Sequence, residues 1–148
     1  MHKDTFNRYS LLLDCTARRV KQYAQVQFNL GKYGVTVDQW AVLKNLNHTT
    51  NISQKELAKL CGKDQPTLTR ILDLLVKKGF VERTVHQSDR RSFIVQLSEE
   101  GRSKVSELEP NVREIRMKAW ENLDENDFDD LQRILNTIYN NLELNNND

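Results

Sequence analysis

The stretch from Ser53 to Leu97 reads SQKELAKLCGKDQPTLTRILDLLVKKGFVERTVHQSDRRSFIVQL. Apolar residues recur in its middle part three and four positions apart, which predicts an α-helix with one buried face. These apolar residues are Leu68, Ile71, Leu72, Leu75 and Val76. The opposite face is polar and is available to solvent or to a partner. It carries Pro66, Arg70, Asp73 and Lys77, with Gln65, Thr67 and Thr69 toward the first turn.

A shorter helix is predicted directly before this one. Ser53 and Glu56 form a capping-box pattern at its start, and Gly62 is placed to end it. Asp64 or Gln65 then caps the following helix. The connection is about four residues long, the length expected of a helix-turn-helix corner.

Two alternating patterns follow the helical pair. Apolar and polar residues alternate over 81–86 and again over 92–97, on either side of a polar, basic turn at 87–91. This pattern predicts a β-hairpin. Two short helices followed by a hairpin are what a winged helix-turn-helix needs to place side chains in a major groove, so the stretch predicts a DNA-binding protein.

Helical patterns flank this region on both sides. Residues 5–30 predict a long first helix that ends near two glycines. This helix has more apolar positions than one small core can bury. Thr36 and Gln39 form the capping box of a second helix. A fifth helix begins at Ser98 and is expected to kink at Pro110, and a sixth begins at Asp124.

The predicted fold class is mainly α with a small β-hairpin wing, in one chain of 148 residues. Residues 35–97 are the predicted winged-helix DNA-binding region, and the many apolar positions of residues 1–34 make the first helix a candidate for contact with a second subunit. Residues 98–148 supply the last two helices. The length suits one domain with such helices, since single cores commonly occupy about 100–150 residues.

Composition favours a soluble protein with an uneven charge distribution. Residues 1–52 carry 7 basic and 3 acidic groups, residues 53–97 carry 9 and 5, and residues 98–148 carry 6 and 13. A DNA-binding face would therefore lie in the middle of the chain, away from the acidic C-terminal third. The sequence has no apolar run that could span a membrane and no secretory signal, so we expect a cytoplasmic protein without a membrane partner.

The residues that catalysis, metals or cofactors would need do not occur in recognisable patterns. Cys15 and Cys61 are far apart and form no CxxC pair, which excludes a disulfide framework and a cysteine-rich zinc module. The histidines His2, His48 and His86 lack metal-ligand spacing. No nucleophile is matched with a base, and no glycine-rich phosphate loop occurs. We expect no enzyme activity and no cofactor.

Several segments together resemble the MarR family of bacterial winged-helix transcription regulators. The resemblance covers nearly the whole chain, and the wing signature Asp89-x-Arg91 is its most specific part. The segments that carry it are VTVDQW (35–40), QKELA (54–58), PTLTR (66–70), LLVKKGFVER (74–83), DRR (89–91) and LSEEG (97–101). The serine at position 98 stands where threonine is commoner, and either residue can cap a helix.

The resemblance implies a homodimer on a pseudo-palindromic operator in double-stranded DNA, with residues 1–34 and 98–148 as the dimerisation helices. The fourth helix would enter the major groove and the wing the flanking minor groove, with Arg91 inserted there and Asp89 holding it by an ion pair. It also implies repression more often than activation, with release by a small-molecule or oxidant effector, as in a stress response.

The candidate DNA contacts are Gln65, Thr67, Thr69, Arg70, Asp89, Arg90 and Arg91. Glutamine suits adenine, arginine suits guanine and the narrow minor groove, and hydroxyls suit either base type. The alternative is an ordinary solvated face. Lys55, Lys63 and Lys77 are candidate phosphate contacts or plain surface residues.

Other residues raise the question of an effector. Arg18 and Arg19 lie one helical turn beyond Cys15 and favour its thiolate, which suits an oxidant sensor, although a small buried cysteine is the favoured interpretation. Cys61 is expected in the core. Tyr9, Tyr23, Tyr33 and Trp40 either line an effector cavity or pack in the core. The alternative function is a winged-helix protein-interaction module without DNA affinity, against which Arg70, Arg90 and Arg91 argue.

Overall fold

The computed structural model describes residues 1–85, 88 and 93–144. Over these residues the chain is mainly helical with one small antiparallel sheet, as predicted. The elements are α1 (Lys3–Leu30), α2 (Val37–Asn47), β1 (Ile52–Ser53), α3 (Gln54–Cys61), α4 (Gln65–Lys77), β2 (Val81–Val85), β3 (Phe93–Leu97), α5 (Glu99–Met117), a 3-10 turn (Lys118–Trp120) and α6 (Glu125–Asn141).

Side-chain caps set the starts of the helices around the helix-turn-helix corner. The Thr36 hydroxyl accepts from the Gln39 amide at 3.1 Å, and the Gln39 side-chain oxygen accepts from the Thr36 amide at 3.1 Å. Ser53 begins α3 with a second capping box, and Asp64 caps α4. Gly62 ends α3 in the left-handed conformation, at φ 61°. These caps confirm the predicted helix boundaries. The boundaries were predictable because each cap involves residues within one helical turn of each other.

The sheet has three strands in the order β1-β3-β2. The predicted hairpin is confirmed where it is described, with Val81 opposite Leu97 and Val85 opposite Phe93. Ile52 pairs with Val95 and adds a short strand that the sequence pattern did not predict, because two residues are too few for an alternating pattern. The predicted turn at 87–91, apart from Ser88, lies outside the described residues.

The apolar face of α4 anchors the helix in the core. Leu68, Leu72 and Leu75 are fully buried, and Ile71 is partly buried against the same core. Val76 was predicted on the buried face but is exposed. Successive residues of an α-helix are turned by about 100° around its axis, so Val76 lies at the edge of the apolar face, where neighbouring elements do not cover it.

The first and sixth helices carry many exposed apolar side chains. In α1 only Ala24 and Phe28 are buried, whereas Phe6, Tyr9 and Leu12 are more than half exposed. In α6 no residue is buried. Its exposed apolar residues are Phe128, Ile134, Leu135 and Tyr139.

The chain divides into two compact units, residues 1–116 and 117–148. In the first, α5 includes Pro110 within one α-helix, and the kink expected there stays a prediction. In the second, Trp120 belongs to the 3-10 turn rather than to α5, and its ring meets Phe128 edge-on at 5.8 Å. Asp124 caps α6, as predicted. No helix among the described residues is both long and apolar enough to cross a membrane.

Candidate nucleic-acid interface

The outer face of α4 is the surface that the helix-turn-helix presents. Gln65, Arg70 and Lys77 are exposed on it, and Thr67 and Thr69 are partly exposed. The buried leucines on the opposite side hold the helix, so this face is rigidly supported. The four residues of α4 that the sequence predicted as DNA contacts are thus all at least partly exposed, and their contacts with DNA stay predictions.

Gln54 of α3 joins this face, which the sequence reasoning missed. Its side-chain amide donates to the Thr69 hydroxyl at 2.7 Å, and that hydroxyl donates to the Gln65 carbonyl at 2.9 Å. The chain of hydrogen bonds orients Thr69 and fixes α3 against α4. A polar residue in the first turn of α3 was the available signal, but its partner is 15 residues away.

Asp64 holds the N-terminal end of α4. Its carboxylate accepts from the Thr67 amide at 2.7 Å. Hydrogen bonds from the Thr67 backbone and hydroxyl, together with the nearby charge of Arg70, lower the pKa of this carboxyl group. The exposed first turn of α4 is therefore ordered even though its side chains face solvent.

An arginine of the wing is bound to α4. Arg83 of β2 donates to the Asp73 carboxylate at 2.6 Å and to the Thr69 carbonyl at 3.3 Å. Among the described residues, none accepts a hydrogen bond from the buried Nε of Arg83. The sequence carried a signal for this contact, because Arg83 alternates in step with Val81 and Val85 and therefore lies on their side of the strand. The contact itself was not predicted.

The predicted cationic contacts differ in their surroundings. Lys55 and Lys77 are exposed. Lys63 is only partly exposed, and its ammonium lies 2.9 Å from a carboxylate oxygen of Asp38. The wing candidates Asp89, Arg90 and Arg91 lie outside the described residues, so their roles stay predictions.

The two cysteines have opposite environments. Cys15 is exposed, so the favoured interpretation of a buried cysteine is wrong for the single chain. The prediction of a buried Cys15 was wrong because α1 carries more apolar side chains than the elements packed against it cover. Cys61 is partly buried against the core, where desolvation raises the pKa of its thiol despite a hydrogen bond from Asn45 and the charge of Lys63.

The aromatic residues do not share one cavity. Trp40 is buried in the core, and Tyr33 packs on Phe28 with ring centroids 5.2 Å apart. Tyr9 and Tyr23 of α1 are exposed. Within residues 1–85, 88 and 93–144, no three histidine, cysteine or acidic side chains are grouped so that they could hold a metal ion.

A helix-turn-helix corner, a supported polar face on its second helix and an adjoining antiparallel hairpin define a winged helix-turn-helix protein. Residues 35–93 match the model of the MarR family. The fold agrees along nearly the entire chain with that of E. coli MarR. The predicted resemblance to the MarR family of winged-helix transcription regulators is therefore confirmed over residues 35–93.

Three solved structures illustrate the similarity. A Listeria innocua protein of unknown function is 29% identical, with 95% of this chain and 97% of that chain covered and a TM-score of 0.69. The S. aureus MepR-DNA complex is 23% identical, with 90% and 98% covered and a TM-score of 0.82. A mutant E. coli MarR complexed with operator DNA is 24% identical, with 91% and 96% covered and a TM-score of 0.82.

Proposed function

We propose that this protein is a homodimer that binds a pseudo-palindromic DNA operator. The observation that carries the proposal is the polar outer face of α4, which is exposed while three fully buried leucines fix the helix from behind. The S. aureus and E. coli proteins of the same fold are seen on DNA. In each half-site α4 would enter the major groove and the wing would reach the adjacent minor groove.

The side chains of α4 suit this placement. Arg70 is long, charged and exposed, so it can reach a guanine edge or a phosphate. Gln65 lies at the start of the helix, where recognition helices contact bases. Thr67 and Thr69 are partly exposed on the same helix. Lys55 and Lys77 are proposed phosphate contacts, whereas Lys63 would first have to leave Asp38.

The wing would supply the minor-groove contacts. Arg91 would insert into the groove and Asp89 would hold it by an ion pair, as the family resemblance implies, and Arg90 is a further candidate DNA contact. Arg83 supports this arrangement from the described part of the hairpin, because it ties β2 to Asp73 of α4. The wing would then move together with the recognition helix.

Dimerisation is supported by the exposed apolar side chains of the terminal helices. Phe6, Tyr9 and Leu12 of α1 are 58%, 59% and 59% exposed. Large contiguous apolar surfaces are uncommon on soluble monomers and usually mark interfaces. We assign residues 1–34 and 98–148 to the dimer interface and residues 35–97 to DNA binding.

We further propose that the dimer represses transcription and is released by an effector. Both recognition helices must meet major grooves one turn apart, about 34 Å. A small molecule that favours a different spacing would weaken operator binding without unfolding either subunit. An oxidant is the second candidate effector, because the Cys15 thiol is exposed in the single chain. Hydroperoxide-induced release that persists in Cys15→Ser would overturn the role of this cysteine.

Selection of bound DNA from a random pool tests the proposal directly. We expect a palindromic consensus, a dimer in sedimentation at micromolar protein, and affinity that falls steeply with salt. Arg70→Ala should weaken operator binding by about 10- to 100-fold. Arg102→Ala removes an exposed arginine that is not among the proposed DNA contacts and should change affinity for a single half-site little. A monomer that binds no duplex at low salt would favour the protein-interaction module instead.

A further inference from the structure

Three elements meet at the carboxylate of Asp38, in the first turn of α2. The Lys21 ammonium of α1 lies 2.9 Å from Oδ1 and 3.0 Å from Oδ2. The Lys63 ammonium, in the turn between α3 and α4, lies 2.9 Å from Oδ1. One side chain therefore joins the first helix to the helix-turn-helix corner.

We propose that Asp38 is a positioning residue that sets the orientation of α1 relative to the helix-turn-helix, and thereby the operator spacing that the dimer accepts. The inference rests on the proposed function, in which α1 belongs to the dimer interface and α4 reads DNA. A change in the angle between these elements in each subunit would alter the distance between the two recognition helices. Matched half-sites tolerate little such change, since they lie about one helical turn apart.

Other hydrogen bonds also hold this region together. The Gln25 side-chain oxygen of α1 accepts from the Val37 amide at 3.0 Å, which links α1 to the start of α2. Lys78, at the end of α4, donates to the Gly34 carbonyl at 2.8 Å and to the Gln39 side-chain oxygen at 2.9 Å, which links α4 to the α1–α2 connection and to α2. None of these three contacts joins α1 itself to the turn between α3 and α4. Asp38 binds α1 on one side and the corner before α4 on the other.

Electrostatics makes the carboxylate necessary for this arrangement. The side chains of Asp38 and Lys63 are 37% and 23% exposed, so solvent screens their attraction less than that of a fully exposed pair. If Asp38 lost its charge, the ammonium groups of Lys21 and Lys63 would face each other without a counter-ion. Their repulsion would favour separation of α1 from the corner.

Asp38→Asn keeps the shape of the side chain and removes its charge. The affinity of each variant is measured by fluorescence anisotropy on three duplexes: the selected operator, a single half-site, and an operator with two additional central base pairs. We expect wild type to prefer the selected operator strongly. Asp38→Asn should lose about tenfold of that preference while its half-site affinity stays within about twofold of wild type. Lys21→Met should reproduce the loss.

Glu82→Gln is the matched control, because the exposed Glu82 carboxylate accepts from Gln96 of the neighbouring strand at 3.4 Å and joins no dimerisation helix to the helix-turn-helix, so it should leave the spacing preference unchanged. Unaltered spacing preference in Asp38→Asn or Lys21→Met would overturn the role of Asp38. Equal losses on the half-site and the selected operator would also overturn it, because they indicate a local effect at the corner. A wild-type protein that binds no operator would overturn the proposed function as well.

Discussion

Arg83 of β2 and Asp73 of α4 form an ion pair with Nη1 and Oδ1 2.6 Å apart. The pair joins the first strand of the wing to α4, and the second guanidinium nitrogen also donates to the Thr69 carbonyl. The orientation of the wing is thus coupled to the same helix that carries the proposed base contacts.

Removal of this carboxylate should destabilise the fold. Asp73→Ala leaves the partly buried Arg83 guanidinium without its counter-ion, and we expect a loss of about 1–3 kcal/mol in the free energy of unfolding. Urea denaturation measures it. Asp130→Ala is the control, since its pair with Arg133 is 3.7 Å long and about 70% exposed, and it should cost less than about 0.5 kcal/mol. Equal costs for the two variants would contradict the prediction.

Two leucines of α4 should differ sharply in their contribution to stability. Leu72 is fully buried, whereas Leu74 is 49% exposed on the same helix. Leu72→Ala leaves a cavity and should lower the free energy of unfolding by about 2–5 kcal/mol. Leu74→Ala makes the same chemical change and should cost less than about 1 kcal/mol. Similar midpoints of thermal unfolding for both variants would show that α4 does not pack as described.

Gly101 allows α5 to approach the end of the helix-turn-helix region. A Cβ added there would overlap the backbone carbonyl oxygen of Phe80, which cannot move as a side-chain end can. Gly101→Ala should therefore cost about 1–3 kcal/mol despite alanine's better helix propensity. Ser103→Ala on the exposed side of α5 should be neutral or slightly stabilising. A stabilised Gly101→Ala in urea denaturation would refute the close approach.

The charge of Asp38 should make stability depend on pH in the acid range. Burial alone raises the pKa of this carboxyl group, but hydrogen bonds from Lys21 and Lys63 and their positive charges outweigh burial, so its pKa is lowered. A lowered pKa in the folded state gives stability that is present above the unfolded value, 3.8, and is lost as the pH falls through the folded value.

Wild type should accordingly be more stable than Asp38→Asn at pH 7, and the difference should shrink below pH 3.8 and be lost as the pH falls through the lower pKa of the folded state. Urea denaturation at a series of pH values measures the difference. Sodium chloride at about 1 M should reduce the difference at pH 7, because it screens the partly exposed charges. A difference that stays constant from pH 7 to pH 3 would exclude this electrostatic origin.

The sequence by itself determined the local structure of this protein. Capping boxes at Thr36 and Ser53, the glycine at position 62, and the apolar period of α4 involve residues at most one or two helical turns apart. Such interactions depend on the order of residues and little else, so their positions were predictable. The polar face of α4 followed from the same period, and with it the four candidate DNA contacts of that helix.

Only the tertiary structure decided how these elements are joined. Arg83 pairs with Asp73, 10 residues away in the sequence. Gln54 bonds to Thr69, 15 residues away, and Lys63 pairs with Asp38, 25 residues away. The exposure of Cys15 and Val76 likewise depended on which elements pack nearby. Sequence periodicity specifies which face of an element is apolar. It does not specify which distant element covers that face, because this depends on the packing of the whole chain.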